Sequence, residues 1–101
     1  MNISIKEITG PYCGEYSDGE KIYEIISDQL KEGKFLTLDF SEIKILSSSF
    51  FNGSIAKLFL DFPTDVLLEH LSIVGMKKID RYVLNRVVRD AENIKENLAA
   101  F

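Results

Sequence analysis

Six residues constrain this chain more than any others: Phe35-Leu36-Thr37-Leu38-Asp39-Phe40. Four of them are apolar, and the run is nearly continuous rather than alternating. A strand with polar residues on every second position rests one face on water. A run without that alternation is expected to be covered on both faces, which places it centrally in a sheet flanked by helices. Gly33 precedes the run and Asp39 and Ser41 end it. Its surroundings repeat the theme. Asn2 to Ile8 alternates with period two and reads as a first strand. Leu71-Ser72-Ile73-Val74, closed by Gly75, reads as a third.

Helical spacing fills the intervals. Ile22, Ile25, Ile26 and Leu30 form the apolar stripe of an amphipathic helix. Ser17 or Asp18 is expected to cap it, Glu20 suits its first turn, Lys31 its last turn and Gly33 its end. Apolar residues at 51, 55, 58, 59 and 62 predict a second helix over 48–61, stopped by Pro63. Val66 to His70 reads either as a helical turn or as an irregular connector. A long helix is expected from Lys77 to about Leu98. Ile79, Val83, Val87, Ala91 and Ile94 should mark its buried side, with Tyr82 and Leu84 nearby. Ala99, Ala100 and Phe101 are expected to fray. The order β-α-β-α-β-α predicts an α/β fold: a single domain over 1–101 with helices covering a small, mostly parallel or mixed sheet.

Composition narrows the function classes. At 101 residues with net charge −4, the chain lacks the basic surface that nucleic acid needs. Lys77, Lys78, Arg81, Arg86 and Arg89 do concentrate near the C-terminus, interleaved with Asp80, Asp90, Glu92 and Glu96. They read as a solvated helix face; the competing reading is a patch for nucleic acid or an acidic partner. No run is long enough to span a membrane, and the N-terminus lacks the pattern of a signal peptide, so a cytoplasmic protein is expected. Cys13 is the only cysteine and His70 the only histidine. They fall in different segments, which offers neither a disulfide nor a thiol–imidazole pair. No metal site and no cofactor are expected.

The residues with most bearing on function follow the central strand. Ser47-Ser48-Ser49 opens the second helix and is followed by Phe50, Phe51 and Asn52. Hydroxyls at a helix start are good capping groups. They also sit where the helix dipole favours negative charge, so a phosphate on Ser48 would be stabilised locally while blocking a partner that packs flush against Phe50, Phe51 or Asn52. The loop from Gly10 to Gly19 is glycine-rich, but it has neither a Lys-Ser/Thr ending nor a Gly-x-Gly-x-x-Gly pattern. Tyr12, Tyr16 and Tyr23 surround it, either packing it down or forming a partner surface.

At residues 38–51 the chain resembles the STAS domain of sulfate transporters and anti-sigma-factor antagonists. The tetrad Leu38-Asp39-Phe40-Ser41, the apolar Ile43, Ile45 and Leu46, and Ser47-Ser48-Ser49-Phe50 stand where that family has its strand end and helix-start signature. Over roughly 2–95 the chain looks more closely like the STAS-like family of unknown function, including the segment Tyr16-Ser17-Asp18-Gly19-Glu20 before the first helix. The resemblance implies a switch module rather than an enzyme. Its partner would be a histidine-kinase-like ATPase or serine kinase, and Ser48 would be the phosphorylated serine. Asp39, Ser47, Ser49, Phe50, Phe51, Asn52, Tyr16 and Asp18 would make the partner surface. Two positions depart from the signature: Ser47 replaces a frequent aspartate and Phe50 replaces glycine. The alternative is a small nucleotide-binding protein or enzyme using Asp39, Ser48 and the 10–19 loop. A third possibility is a structural or dimerising subunit.

Overall fold

The computed structural model describes residues 1–99. The run is central in its sheet as expected, but it is fully covered on one face only, since burial alternates along it. Strand β3 (Leu36–Asp39) lies between β1 (Asn2–Ser4) and β5 (Leu71–Val74), and all three run parallel. Leu38 sits opposite Ile3 on one side and Ile73 on the other. Leu36, Leu38 and Phe40 are buried, whereas Thr37 and Asp39 are half-buried. Phe35 lies outside the strand, 60% exposed, with its ring stacked on His70 at 4.4 Å between centroids.

The first strand is shorter than its alternation implied. It ends at Ser4, whose hydroxyl accepts the Glu7 N–H (3.3 Å) and so caps a short helix, α1 (Ile5–Thr9). A capping serine inside an alternating segment switches the period after three residues. The 10–19 loop also contains structure. Strand β2 (Tyr12–Cys13) pairs in parallel with β4 (Ile45–Leu46) as a separate two-stranded sheet. Helix α2 (Tyr16–Lys31) starts earlier than expected, with Glu15 at its cap position and no side-chain capping bond. Ser17 and Asp18 are therefore inside the helix, Asp18 in its first turn, where its charge suits the dipole. Ile22, Ile26 and Leu30 are buried as the stripe required.

The second expected helix is two. Helix α3 (Ser48–Gly53) breaks at Ser54 (φ −114°, ψ −88°), and α4 (Ile55–Asp61) continues from it. The Ser54 side chain, fully buried, donates to the Phe50 carbonyl (2.8 Å) and satisfies the backbone at the break. Apolar spacing runs on across it because both short helices contribute to one core. Pro63 stands at the cap position of α5 (Thr64–His70), which settles the ambiguous segment as helix. Helix α6 (Lys78–Ala99) then crosses α3 and α4. Leu84, Val87 and Ala91 are its buried residues, and Lys95 donates to the Phe62 carbonyl at 2.8 Å. Ile79, Tyr82 and Ile94, read from spacing as belonging to or lying near the buried side, are exposed at 72%, 65% and 50%. The face that packs is the one through 84, 87 and 91, rotated from the face through 79. The expected fraying at Ala100 and Phe101 falls outside the described residues.

No described helix is long and apolar enough to cross a membrane. The protein is thus a small mixed α/β domain with parallel sheets.

Candidate functional site

Ser47 organises the site. Its backbone N–H donates to the Cys13 carbonyl (3.0 Å) and its hydroxyl donates to the Gly14 carbonyl (2.9 Å). The same hydroxyl accepts the Phe50 N–H (3.1 Å), which caps α3. A hydroxyl can donate and accept at once; a carboxylate only accepts. Serine is therefore suited to a position that must cap a helix and also satisfy a carbonyl of the neighbouring loop. Ser47 is committed to the fold and ties the helix start to the segment after β2.

Phe50 and Phe51 fix the helix from beneath. Both are fully buried, which corrects their reading as contact residues. Phe40 from the end of β3 meets them, edge-on to Phe50 (6.4 Å between centroids) and tilted against Phe51 (6.5 Å), while the pair themselves stand 5.9 Å apart. Such clusters favour edge-to-face geometry and large buried area. Phenylalanine in place of the signature glycine therefore adds core, not surface bulk.

On its other side α3 meets α2 backbone to backbone. A Cβ on Gly19 would overlap the Phe50 carbonyl oxygen and lie 3.1 Å from Gly53 Cα; a Cβ on Gly53 would overlap the Tyr16 carbonyl oxygen. Tyr16 and Asp18 are thereby brought to the α3 end of the molecule. Tyr16 is 45% exposed, and the half-buried Asp18 lies 4.0 Å from the Lys21 ammonium.

What α3 offers outward is Ser48, Ser49 and Asn52, all exposed. Ser48 and Asn52, one turn apart, face α6 across an open groove of about 430 Å³, whose far wall is Val83, Arg86, Val87 and Asp90. The two valines floor it, and Arg86 and Asp90 put opposite charges on its rim. Sequence reading missed this wall. The repeat of Val83/Val87 and Arg86/Asp90 at four-residue intervals was the available signal.

Asp39 is elsewhere. Its carboxylate accepts the Ser41 N–H (2.9 Å) in the turn after β3, and Gly75 (φ +74°) packs so closely that a Cβ would come 2.8 Å from the carboxylate oxygen. The Ser41 hydroxyl and N–H hold the Asp39 carboxyl below its ordinary range. Asp39 is thus a turn-organising residue and does not line the groove. Cys13 is fully buried against Thr9 (3.1 Å), and burial raises its thiol pKa above the ordinary value. A neutral, inaccessible thiol is a poor nucleophile. Among the described residues no three His, Cys, Asp or Glu side chains gather as a metal site would require.

Parallel β-strands, the serine-capped helix at 47–53 and the buried aromatic pair behind it define an α/β domain built around one presented helix start. A family model for the STAS-like domain of unknown function (DUF4325) matches residues 18–81, and the chain belongs to that family. The matched span is narrower than the resemblance over 2–95; it includes Ser47–Asn52 and ends before Val83, so the α6 wall of the groove lies beyond it. No curated protein and no solved structure matches the chain.

Proposed function

We propose that this domain is a non-enzymatic regulatory module that docks a protein partner through the α3 start, with Ser48 as its switch. The partner class that fits is a histidine-kinase-like ATPase or serine kinase, encountered in the cytoplasm. One observation carries the reading: a helix start whose exposed groups (Ser48, Ser49, Asn52) stand on a rigid base of Ser47 hydrogen bonds and buried Phe50 and Phe51. A surface held this way loses little entropy on binding. Phosphate on Ser48 would add about two negative charges to the groove that Arg86 and Asp90 also line, and a flush-packing partner would lose contact. Transfer from a nucleoside triphosphate would join the Ser48 Oγ to the γ-phosphorus, release the diphosphate and pass the hydroxyl proton to the kinase's base.

The test compares partner capture from native cytoplasm by wild type, Ser48→Ala and Ser48→Asp, with the captured protein identified by mass spectrometry. An ATPase retained by wild type and Ser48→Ala but lost from Ser48→Asp supports the switch. Equal capture by all three removes Ser48 from the mechanism. Clear thermal stabilisation by a nucleotide would favour the competing nucleotide-binding reading through Asp39 and the 10–19 loop.

A further inference from the structure

Charge in this chain is segregated. Of its twelve basic residues five lie in 77–89, with only one of its sixteen acidic residues, so that segment carries +4 and the rest of the chain −8. The acidic residues resume at once with the exposed Asp90, so the separation runs along the helix, with these cations at its N-terminal half. Lys77, Lys78, Arg81, Arg86 and Arg89 are all exposed, whereas Asp80 is turned partly inward. Among the described residues none of the five cations is ion-paired; the salt bridges all lie elsewhere. Ile79 and Tyr82 stand among them, 72% and 65% exposed. Ile79, Tyr82, Arg86 and Arg89 follow one another at i, i+3, i+7 and i+10, a single stripe about 15 Å long on the helix surface.

We infer that this outer face of α6 docks an acidic, amphipathic segment of a protein partner. Ile79 and Tyr82 supply apolar anchors, and the Arg86 and Arg89 guanidiniums can each donate two parallel N–H bonds to one carboxylate. Tyrosine and arginine are the residue types that concentrate binding energy at protein interfaces. A nucleic acid would use the cations and could stack a base on Tyr82, but it would leave Ile79 unburied, and the −8 carried by the rest of the domain would repel its backbone beyond the patch. An anionic membrane would meet the same repulsion. This face is independent of the Ser48 reading, though Arg86 belongs both to the stripe and to the groove rim.

The probe is a short fluorescein-labelled helical peptide with leucines at i, i+3, i+4 and i+7 and glutamate elsewhere, measured by anisotropy against a twin with glutamine for glutamate. The glutamate peptide should bind at least about tenfold tighter than its twin and weaken as salt rises. Ile79→Ser/Tyr82→Ser and Arg86→Gln/Arg89→Gln should each weaken it about tenfold or more while melting like wild type, since all four side chains are exposed. Equal binding of the two peptides, no binding of the glutamate peptide, or indifference to Ile79→Ser/Tyr82→Ser would overturn the inference. So would tighter binding of oligo(dT) or of phosphatidylserine vesicles, or self-association in sedimentation that the arginine variants abolish.

Discussion

Helix α3 leads into α4 and lies between α2 and α6, and it meets these last two in opposite ways. Against α2 the contact is closed: Gly19 and Gly53 let backbone touch backbone, and no side chain fits between. Against α6 the contact is open: Ser48 and Asn52 look across about 430 Å³ of accessible space at Val83, Arg86, Val87 and Asp90. The closed side determines where the helix sits, and the open side leaves its polar groups available. Asn52 and Gly53 are adjacent in sequence yet belong to these two regimes, so the contrast can be tested residue by residue.

The largest effect should come from the base of the helix. Phe50→Ala or Phe51→Ala should cost about 3–5 kcal/mol in a denaturant titration, because each empties a fully buried ring from a packed aromatic cluster. The closed contact should come next. Gly53→Ala or Gly19→Ala should cost about 1–3 kcal/mol, towards the upper end, since the obstacle is backbone that cannot rotate away. A third, smaller loss should follow Ser47→Ala, about 1 kcal/mol for the cap. Ser47→Asp should keep the cap but set a carboxylate against the Gly14 carbonyl, and should not recover wild-type stability.

Alkaline pH probes the same closed region through Cys13, whose carbonyl receives the Ser47 N–H. Burial raises the thiol above its ordinary value of 9.0, so the unfolded chain releases that proton first. Stability from this group is complete below pH 9 and declines as pH rises through the folded-state value. Tyr23, hydrogen-bonded to Asp61 and likewise raised, adds a decline above pH 10. Cys13→Ala should flatten the first part of that profile and leave the second. If the wild-type and Cys13→Ala profiles run parallel from pH 8 to 10, burial is not controlling the thiol. The smallest effect belongs to the open side: Ser48→Ala or Asn52→Ala should shift stability by no more than about 0.5 kcal/mol, since both are exposed. A loss at Asn52 comparable to that at Gly53 would erase the distinction between the two contacts.

The sequence carried the central features of the fold because hydrophobic pattern encodes burial directly. The run around Leu36–Asp39 and the stripe Ile22–Ile26–Leu30 were legible for that reason; the strand Leu71–Val74, nowhere fully buried, was legible from its β-branched residues and the closing Gly75. What it hid were features decided by single contacts. Ser4 ends β1 by capping α1, Ser54 breaks a helix whose apolar spacing continues across it, and β2 and β4 pair through only two residues each. Rotation of a helix about its axis was also hidden. Ile79 and Leu84 fit competing faces of α6, and only packing against α3 and α4 selected the second. Ser48, Ser49 and Asn52 were legible as a helix start, but the groove that Ser48 and Asn52 face depends on which side of α6 turns inward.

The most direct test is partner capture by wild type and Ser48→Asp, measured on samples whose melting curves coincide. Loss of the captured ATPase from Ser48→Asp, at unchanged melting temperature, is the result expected of a rigid helix start that presents a switchable serine. Equal capture by the two proteins would contradict it.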